Sequence, residues 1–256
     1  EHGLKTYLGL GYVERTPDFW ELYSTSTDRG VGSTDMMGMT TYRMLDNLDN
    51  LNNERTAQLD LGFQAEHGAW SAWASAYAGL IKDFILLEYN TPTMRQPLAR
   101  NVDATIAGAE AGLGYQFTDH FQADISTMYA WGENTSDHRA LPQIAPLEGR
   151  LNLRYVDEKY SLGLLWRAVA KQNRISLNEG NVVGYDMNES KAFNTLAING
   201  TYQLTDAVNV SVGVDNLLDK AYTEHLNKAG ASMFGYAASE QFNNIGRNYW
   251  MRMSMK

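Results

Sequence analysis

Four methionines fall within the nine residues MMGMTTYRM, at Met36, Met37, Met39 and Met44, out of 11 in the chain. A thioether is a soft donor suited to Cu(I), and Gly38 gives the run the freedom to turn several sulfurs toward one ion. The same side chains also serve as adaptable apolar filling in a folded loop; the local pattern is compatible with both uses. Two histidines join the metal-ligand candidates, His138 in TSDHRALP and His225 in YTEHLNKAG, each within a long polar segment. His67 and His120 fall in short polar joints and read as solvated turn residues. Cysteine is absent, which removes thiolate sites, disulfides and a thiol nucleophile together. No H-E-x-x-H pair, G-x-S-x-G elbow or phosphate-binding loop occurs. Ser136, Asp137 and His138 are adjacent, but neighbours in a chain seldom supply triad geometry. No catalytic residue is assigned, and no covalently bound cofactor is expected.

The elements that must position these residues are strands. Apolar and polar residues alternate over about ten long segments: 4–13, 54–64, 70–86, 101–117, 121–134, 147–156, 160–173, 192–204, 208–218 and 246–256. Short polar joints near residues 66, 118, 157 and 205 alternate with long ones at 14–53, 87–100, 135–146, 174–191 and 219–245. Antiparallel strands joined short, long, short, long make an up-and-down meander with unequal ends, the organisation of outer-membrane β-barrels. Strand length agrees, since soluble strands average about five or six residues whereas a tilted strand crossing a bilayer needs about nine to eleven. The fold class is therefore all-β, an antiparallel transmembrane barrel wall.

Side-chain alternation assigns the two faces. In the last segment Tyr249, Met251, Met253 and Met255 share one side while Arg252, Ser254 and Lys256 share the other. In FQADISTMYAWGEN, Phe121, Ala123, Ile125, Thr127 and Tyr129 oppose Gln122, Asp124, Ser126 and Met128. Lipid would meet the first set and a wet lumen the second. Aromatic pairs near strand ends, Tyr115 with Phe117, Tyr129 with Trp131, Tyr155 with Tyr160 and Tyr249 with Trp250, read as interfacial girdles. A formal charge of -9 excludes affinity built on neutralising phosphates, so nucleic acid is not a partner. The acidic residues Asp18, Glu21, Asp28, Asp35, Asp46 and Asp49 of the first long joint read as a solvated face. The chain opens directly on a strand pattern at Leu4, which reads as a piece of something longer.

Four segments carry a family likeness. GVDNLLDKAYTEH at 213–225 resembles the C-terminal hallmark of TonB-dependent outer-membrane receptors, carried here by Asp215, Asn216, Leu217, Asp219, Lys220 and Tyr222. YVERTPDFWELY at 12–23 resembles the family's Pro-containing segment that opens an outer loop, and LNNERTAQLDLGFQ at 51–64 resembles the descending strand after it. Asn52 and Asn53 stand where Lys-Pro is common. GRNYWMRMSMK at 246–256 resembles the closing strand, although Lys256 replaces the usual terminal aromatic. Among these receptors, residues 101–155 and DKAYTEHLNKAGA look most similar to the copper receptor branch.

The resemblance implies that residues 1–256 are the C-terminal part of a 22-stranded barrel whose N-terminal plug is absent here. It further implies an outer-membrane location in a Gram-negative bacterium, and uptake of a metal ion, with copper as the transported ligand. Expected partners are membrane lipid and lipopolysaccharide, the remaining barrel strands and plug, and TonB through the missing N-terminal part. A siderophore receptor is the alternative, and a passive porin a more distant one because porins lack the NLLDKAY ending.

Overall fold

The computed structural model describes residues 3–23, 32–34, 40–42, 51–89, 98–227, 235 and 240–255. In chain order the elements are β1 (Gly3–Arg15), α1 (Phe19–Tyr23), β2 (Gly32–Thr34), β3 (Thr40–Tyr42), β4 (Glu54–His67), β5 (Trp70–Glu88), β6 (Leu98–Gln116) and β7 (Phe121–Asn134). They continue with β8 (Arg139–Ala140), β9 (Glu148–Val156), β10 (Tyr160–Val169), β11 (Glu179–Gly180), β12 (Phe193–Thr205), β13 (Val208–Asp215) and β14 (Asn248–Met255). One sheet takes the order β1-β4-β5-β6-β7-β9-β10-β12-β13-β14, with β1 and β14 as its two ends. Each neighbour is also the next long strand in sequence and runs antiparallel, so the ten expected strands form the expected meander. Four short strands lie within the long joints: β8 pairs with β7, β11 pairs with β5, and β2 with β3 makes a separate hairpin.

Register aligns the alternation across the sheet. On one face Ile125 meets Leu151, which meets Trp166, which meets Leu196. On the other, one residue along, Ser126, Arg150, Arg167 and Thr195 form a polar row. Because the side-chain period is two, a one-residue slip would exchange these rows, so the pattern itself holds the register. The apolar row stays uncovered: Ile125 is 54% exposed and Met251 74%. A water-soluble sheet of this size would bury such a face, so this one is built for an apolar surrounding.

Aromatic side chains edge the apolar face. At the short-turn end Trp70 contacts Tyr115 at 4.3 Å, Tyr115 contacts Phe117 at 4.7 Å, and Tyr155 contacts Tyr160 at 5.8 Å between ring centroids. His120, expected to be solvated, belongs to this edge, since its ring stacks on Tyr155 and its Nδ1 is 2.8 Å from the Val156 carbonyl. Trp250 corrects the expected girdle. It pairs with Gly213 and so stands on the polar face, where it fills the space a side chain at residue 213 would take. Tyr77 over Gly108 and Trp73 over Gly112 repeat the device, their ring atoms only 2.5 and 2.3 Å from where a Cβ would be. These strand glycines thus admit an aromatic ring flat against the wall.

The long-joint end carries what core there is. Leu51, Ile85, Leu87 and Ala99 cluster together, and Ile81, Ala104 and Leu141 form a second group. A register shift between Ile81 and Phe84, with Asp83 at φ 58°, separates the regular wall from this capped end. The outer segments therefore fold onto the strand ends and can hold side chains at fixed positions.

Candidate functional site

The family-like segments meet at the long-joint end as ionic and hydrogen-bonded locks. Asp18 opens α1: the Glu21 amide donates to Asp18 Oδ1 and the Asp18 amide to Glu21 Oε2, both at 2.8 Å, a reciprocal capping box. Arg15 donates through Nη1 and Nη2 to both Glu21 oxygens at 2.9 and 3.0 Å, and through Nη2 to Glu54 at 3.0 Å. Glu54 lies in the likeness segment at 51–64 and opens β4, so one guanidinium ties the end of β1, helix α1 and the start of β4 together.

The hallmark at 213–225 is a chain reversal built on Asn216. This buried residue sits at φ 47°, which asparagine tolerates better than most side chains. Its Oδ1 accepts the Lys220 amide and its Nδ2 donates to the Lys220 carbonyl, both at 2.9 Å. Asp219 Oδ1 accepts the Arg247 amide at 2.8 Å, and Arg247 Nε donates to the Leu217 carbonyl at 2.8 Å, joining the two ends of the last outer segment. Tyr222 packs on Phe193 with ring centroids 4.4 Å apart.

Arg167 stands below this reversal on the polar face of β10. Its Nη1 donates to Glu224 at 2.5 Å and its Nη2 to Glu148 at 2.6 Å, while Arg150 Nε donates to the other Glu148 oxygen at 2.6 Å. It borders a cavity of about 660 Å³ that is also lined by Thr195, Asp215, Tyr222, Asn244 and Asn248. Amides, a guanidinium and a phenol make this a hydrogen-bonding hollow on the polar face.

A second network fastens the outer segments to one another. Asp186 is buried and accepts the amides of Gln143 and Ser176, both at 3.0 Å. Buried Glu179 meets Arg139 at 2.9 Å, and Arg100 bridges Glu88 and Asp137, each at 2.5 Å. The hydrogen bond from Arg100 holds the Asp137 carboxyl below its ordinary value of 3.8, helped by Asn134. A depressed carboxylate binds fewer protons folded than unfolded, so its contribution is complete above that ordinary value and is lost as pH falls through the folded value. Protection against amide exchange at Ser136 and Asp137, which donate to Asn134 Oδ1, taken relative to the intrinsic rate at each pH, is therefore expected to fall on acidification below pH ~4, and to lose that dependence in Asp137→Asn.

The candidate ligands are placed unequally. Met36, Met37, Met39 and Met44 lie outside the described residues; in chain order the first three fall between β2 and β3. His138 is exposed, at φ 55° in the turn between β7 and β8. His225 is buried, with Nε2 3.4 Å from Asp186 Oδ1 and neither ring nitrogen hydrogen-bonded. Among the described residues no group of three or more His, Cys, Asp or Glu could hold a metal ion. Ser136 and Asp137 are engaged structurally: the serine hydroxyl accepts the Asp103 amide at 2.8 Å and the aspartate takes Arg100. Sequence reading missed the Arg15 and Arg167 locks, whose partners Glu54, Glu148 and Glu224 lie 39, 19 and 57 residues away; the Asp-x-x-Glu cap at 18–21 left a local signal.

An open antiparallel wall with an apolar face, a polar face and capped outer joints defines the class. The chain belongs to the TonB-dependent receptor family: residues 2–217 match its description "TonB dependent receptor-like, beta-barrel". Among solved structures it is similar to "Copper transporter OprC", at 45% identity and a TM-score of 0.89, over 98% of this chain and 37% of that one. It also superposes on the ferric enterobactin receptor PfeA of Pseudomonas aeruginosa (19% identity, TM-score 0.70, covering 98% of this chain and 38% of that chain). The siderophore receptor PirA of Acinetobacter baumannii is a further neighbour (15%, TM-score 0.66, 98% and 39%). At those identities PfeA and PirA share the fold alone. The chain thus spans well under half the length of the structures it matches. No match was found among curated proteins.

Proposed function

We propose that this chain is the C-terminal part of the barrel of an outer-membrane receptor that takes up copper with energy supplied through TonB. The observation that carries the reading is the 45% identity to a copper transporter, sustained over 98% of this chain. In this reading the apolar face meets membrane lipid and lipopolysaccharide. The polar face, with Arg167 and its cavity, faces the lumen, while the remaining strands, the plug and the TonB-contacting segment belong to the rest of the receptor. Copper is cargo here, held long enough to be passed inward.

Met36, Met37 and Met39 are the assigned capture ligands, with Met44 eight residues beyond the first of them. Their support is positional: three sulfurs occupy the five-residue link 35–39 between the paired strands β2 and β3, a spacing short enough for them to share one soft ion. His138, exposed on an outer turn, is a secondary contact for an arriving ion, whereas His225 would have to leave its enclosure beside Asp186 to serve. The test is Cu(I) binding by the full-length receptor under reducing conditions, with Zn(II) as control, against a variant carrying Met36→Ser, Met37→Ser and Met39→Ser. Weakening of Cu(I) binding by about tenfold or more is expected from losing soft donors. Unchanged tight binding would place the capture site elsewhere in the receptor, and binding of ferric siderophore with none of copper would overturn the copper reading.

A further inference from the structure

We propose that β7, β9 and β10 form a binding site for an outer-leaflet lipid with a phosphorylated headgroup, an apolar groove taking an acyl chain and a cationic notch taking the phosphate. The inference rests on the reading of the apolar face as the membrane-facing one. The groove, about 400 Å³, is lined by Leu113, Ile125, Thr127, Gly149, Leu151 and Trp166. Register places all six on the apolar face. Its depth comes from Gly149, where an added Cβ would meet nothing closer than the Ser126 carbonyl oxygen at 3.9 Å, so no neighbouring side chain fills the gap.

The notch follows from strand pairing. β9 begins at Glu148 opposite Met128, so β7 runs on past its partner toward the long-joint end. A cavity of about 160 Å³ opens there, bordered by Tyr129, Trp131, Leu147, Lys171 and Arg174. The Arg174 guanidinium lies 4.9 Å from the centre of the Trp131 ring and donates to the Gly132 carbonyl at 3.2 Å. Two cations border this one cavity, Lys171 and Arg174. Like Lys5, Arg154, Lys159, Lys191, Lys220, Arg247 and Arg252, and unlike Arg15, Arg55, Lys82, Arg100, Arg139, Arg150 and Arg167, they have no carboxylate within ion-pair distance among the described residues. Glu133, two positions past Trp131 on the same face of β7, is a single carboxylate against two cations, which leaves the corner attractive to an anion.

Groove and notch follow one another along the same face of β7. Ile125, Thr127, Tyr129 and Trp131 are successive same-face positions on one strand, and four residues of strand carry the face about 13 Å from Thr127 to Trp131. An acyl chain lying on Gly149 would point its headgroup at Lys171 and Arg174, at the level where aromatic rings sit in the interface. A free anion would use the notch alone; a lipid needs both parts.

The test is retention of diphosphoryl lipid A by the full-length receptor in detergent, measured by native mass spectrometry. It compares wild type with Lys171→Gln/Arg174→Gln and with Gly149→Leu. Each variant is expected to weaken retention about tenfold, one by removing charged donors and the other by filling the groove. Lys171→Arg should retain the lipid, and dephosphorylated lipid A should not distinguish Lys171→Gln/Arg174→Gln from wild type. Equal retention by all the proteins would overturn the site. So would displacement by inorganic phosphate with Gly149→Leu indistinguishable from wild type, which would leave an anion site only. Heat-modifiable migration and outer-membrane fractionation of the same preparations separate the two readings. A receptor absent from the outer membrane defeats the membrane assignment itself, whereas a folded, correctly located receptor whose variants retain lipid normally defeats only this site.

Discussion

Replacing Arg167 with methionine in the full-length receptor is expected to loosen the segment 219–227 while leaving the wall intact. Arg167 supplies two hydrogen bonds to Glu224 and one to Glu148, and its guanidinium carbon lies 5.3 Å from the centre of the Phe193 ring. Without it Glu148 keeps Arg150, but among the described residues the Glu224 carboxylate keeps only the Asn244 amide at 3.3 Å. The Glu148 side chain is nearly buried, at 9% exposure, so removing one partner leaves charge that water reaches poorly. Breaking a pair in such surroundings costs about 2–4 kcal/mol. Methionine retains most of the aliphatic stem, so the loss reads the charge and not the packing. Hydrogen exchange over 219–227 should rise by about 1.5 to 3 orders of magnitude, the factor to which that energy corresponds. Arg167→Lys should fall between, because an ammonium cannot make the two-pronged contact. Exchange equal to wild type in Arg167→Met would show that Asn216 alone holds the reversal.

A larger effect is expected from a single methyl group. An alanine Cβ at residue 180 would lie 2.1 Å from the Gly184 carbonyl oxygen and 2.5 Å from Tyr185 Cα, both main-chain atoms that no rotamer change can move. The turn around it is closed by Asp186 donating its amide to the Glu179 carbonyl and Asn181 donating to Gly184, both at 2.9 Å. Gly180→Ala must open that turn, unstacking Tyr185 from Tyr89, whose rings lie 4.4 Å apart, and moving Asp186 away from the Gln143 and Ser176 amides. The expected loss is about 3 kcal/mol or more, in the range of severe overpacking, read as protease cleavage within 174–191 that the parent resists. Gly149→Ala is the control, since its Cβ would touch nothing closer than 3.9 Å, and a change within about 0.5 kcal/mol is expected. Equal behaviour of the two variants would contradict the packing described for the 179–186 turn.

The wall was legible because its signal is local. Alternation at period two shows in any ten residues of Phe121–Asn134, and that strand has the expected bounds. The strand starting at Tyr160 ends at Val169 instead of running to residue 173, because Gln172 turns to bridge Ser190 and the chain leaves the sheet. Period alone could not show this, since residues 170–173 continue the same composition. Trp250 was misassigned for a related reason: aromatic type suggested an interface, whereas its parity and a glycine opposite put it on the polar face. The site was less legible. Arg15 and Glu54 are 39 residues apart, as are Asp186 and His225, and nothing local announces such pairs. The family-like segments were visible as patterns, yet the work of Asp18, Glu21 and Asn216 emerged only from their hydrogen bonds.

The most direct test of the copper reading is metal accumulation by copper-limited cells that produce the full-length receptor. They are compared with cells lacking it and with cells that have the receptor but no TonB, with ferric siderophore uptake followed in parallel. The expected result is several-fold more cell copper only when receptor and TonB are both present, with iron uptake unchanged. Copper equal in all three, with ferric siderophore uptake that requires the receptor, would contradict it.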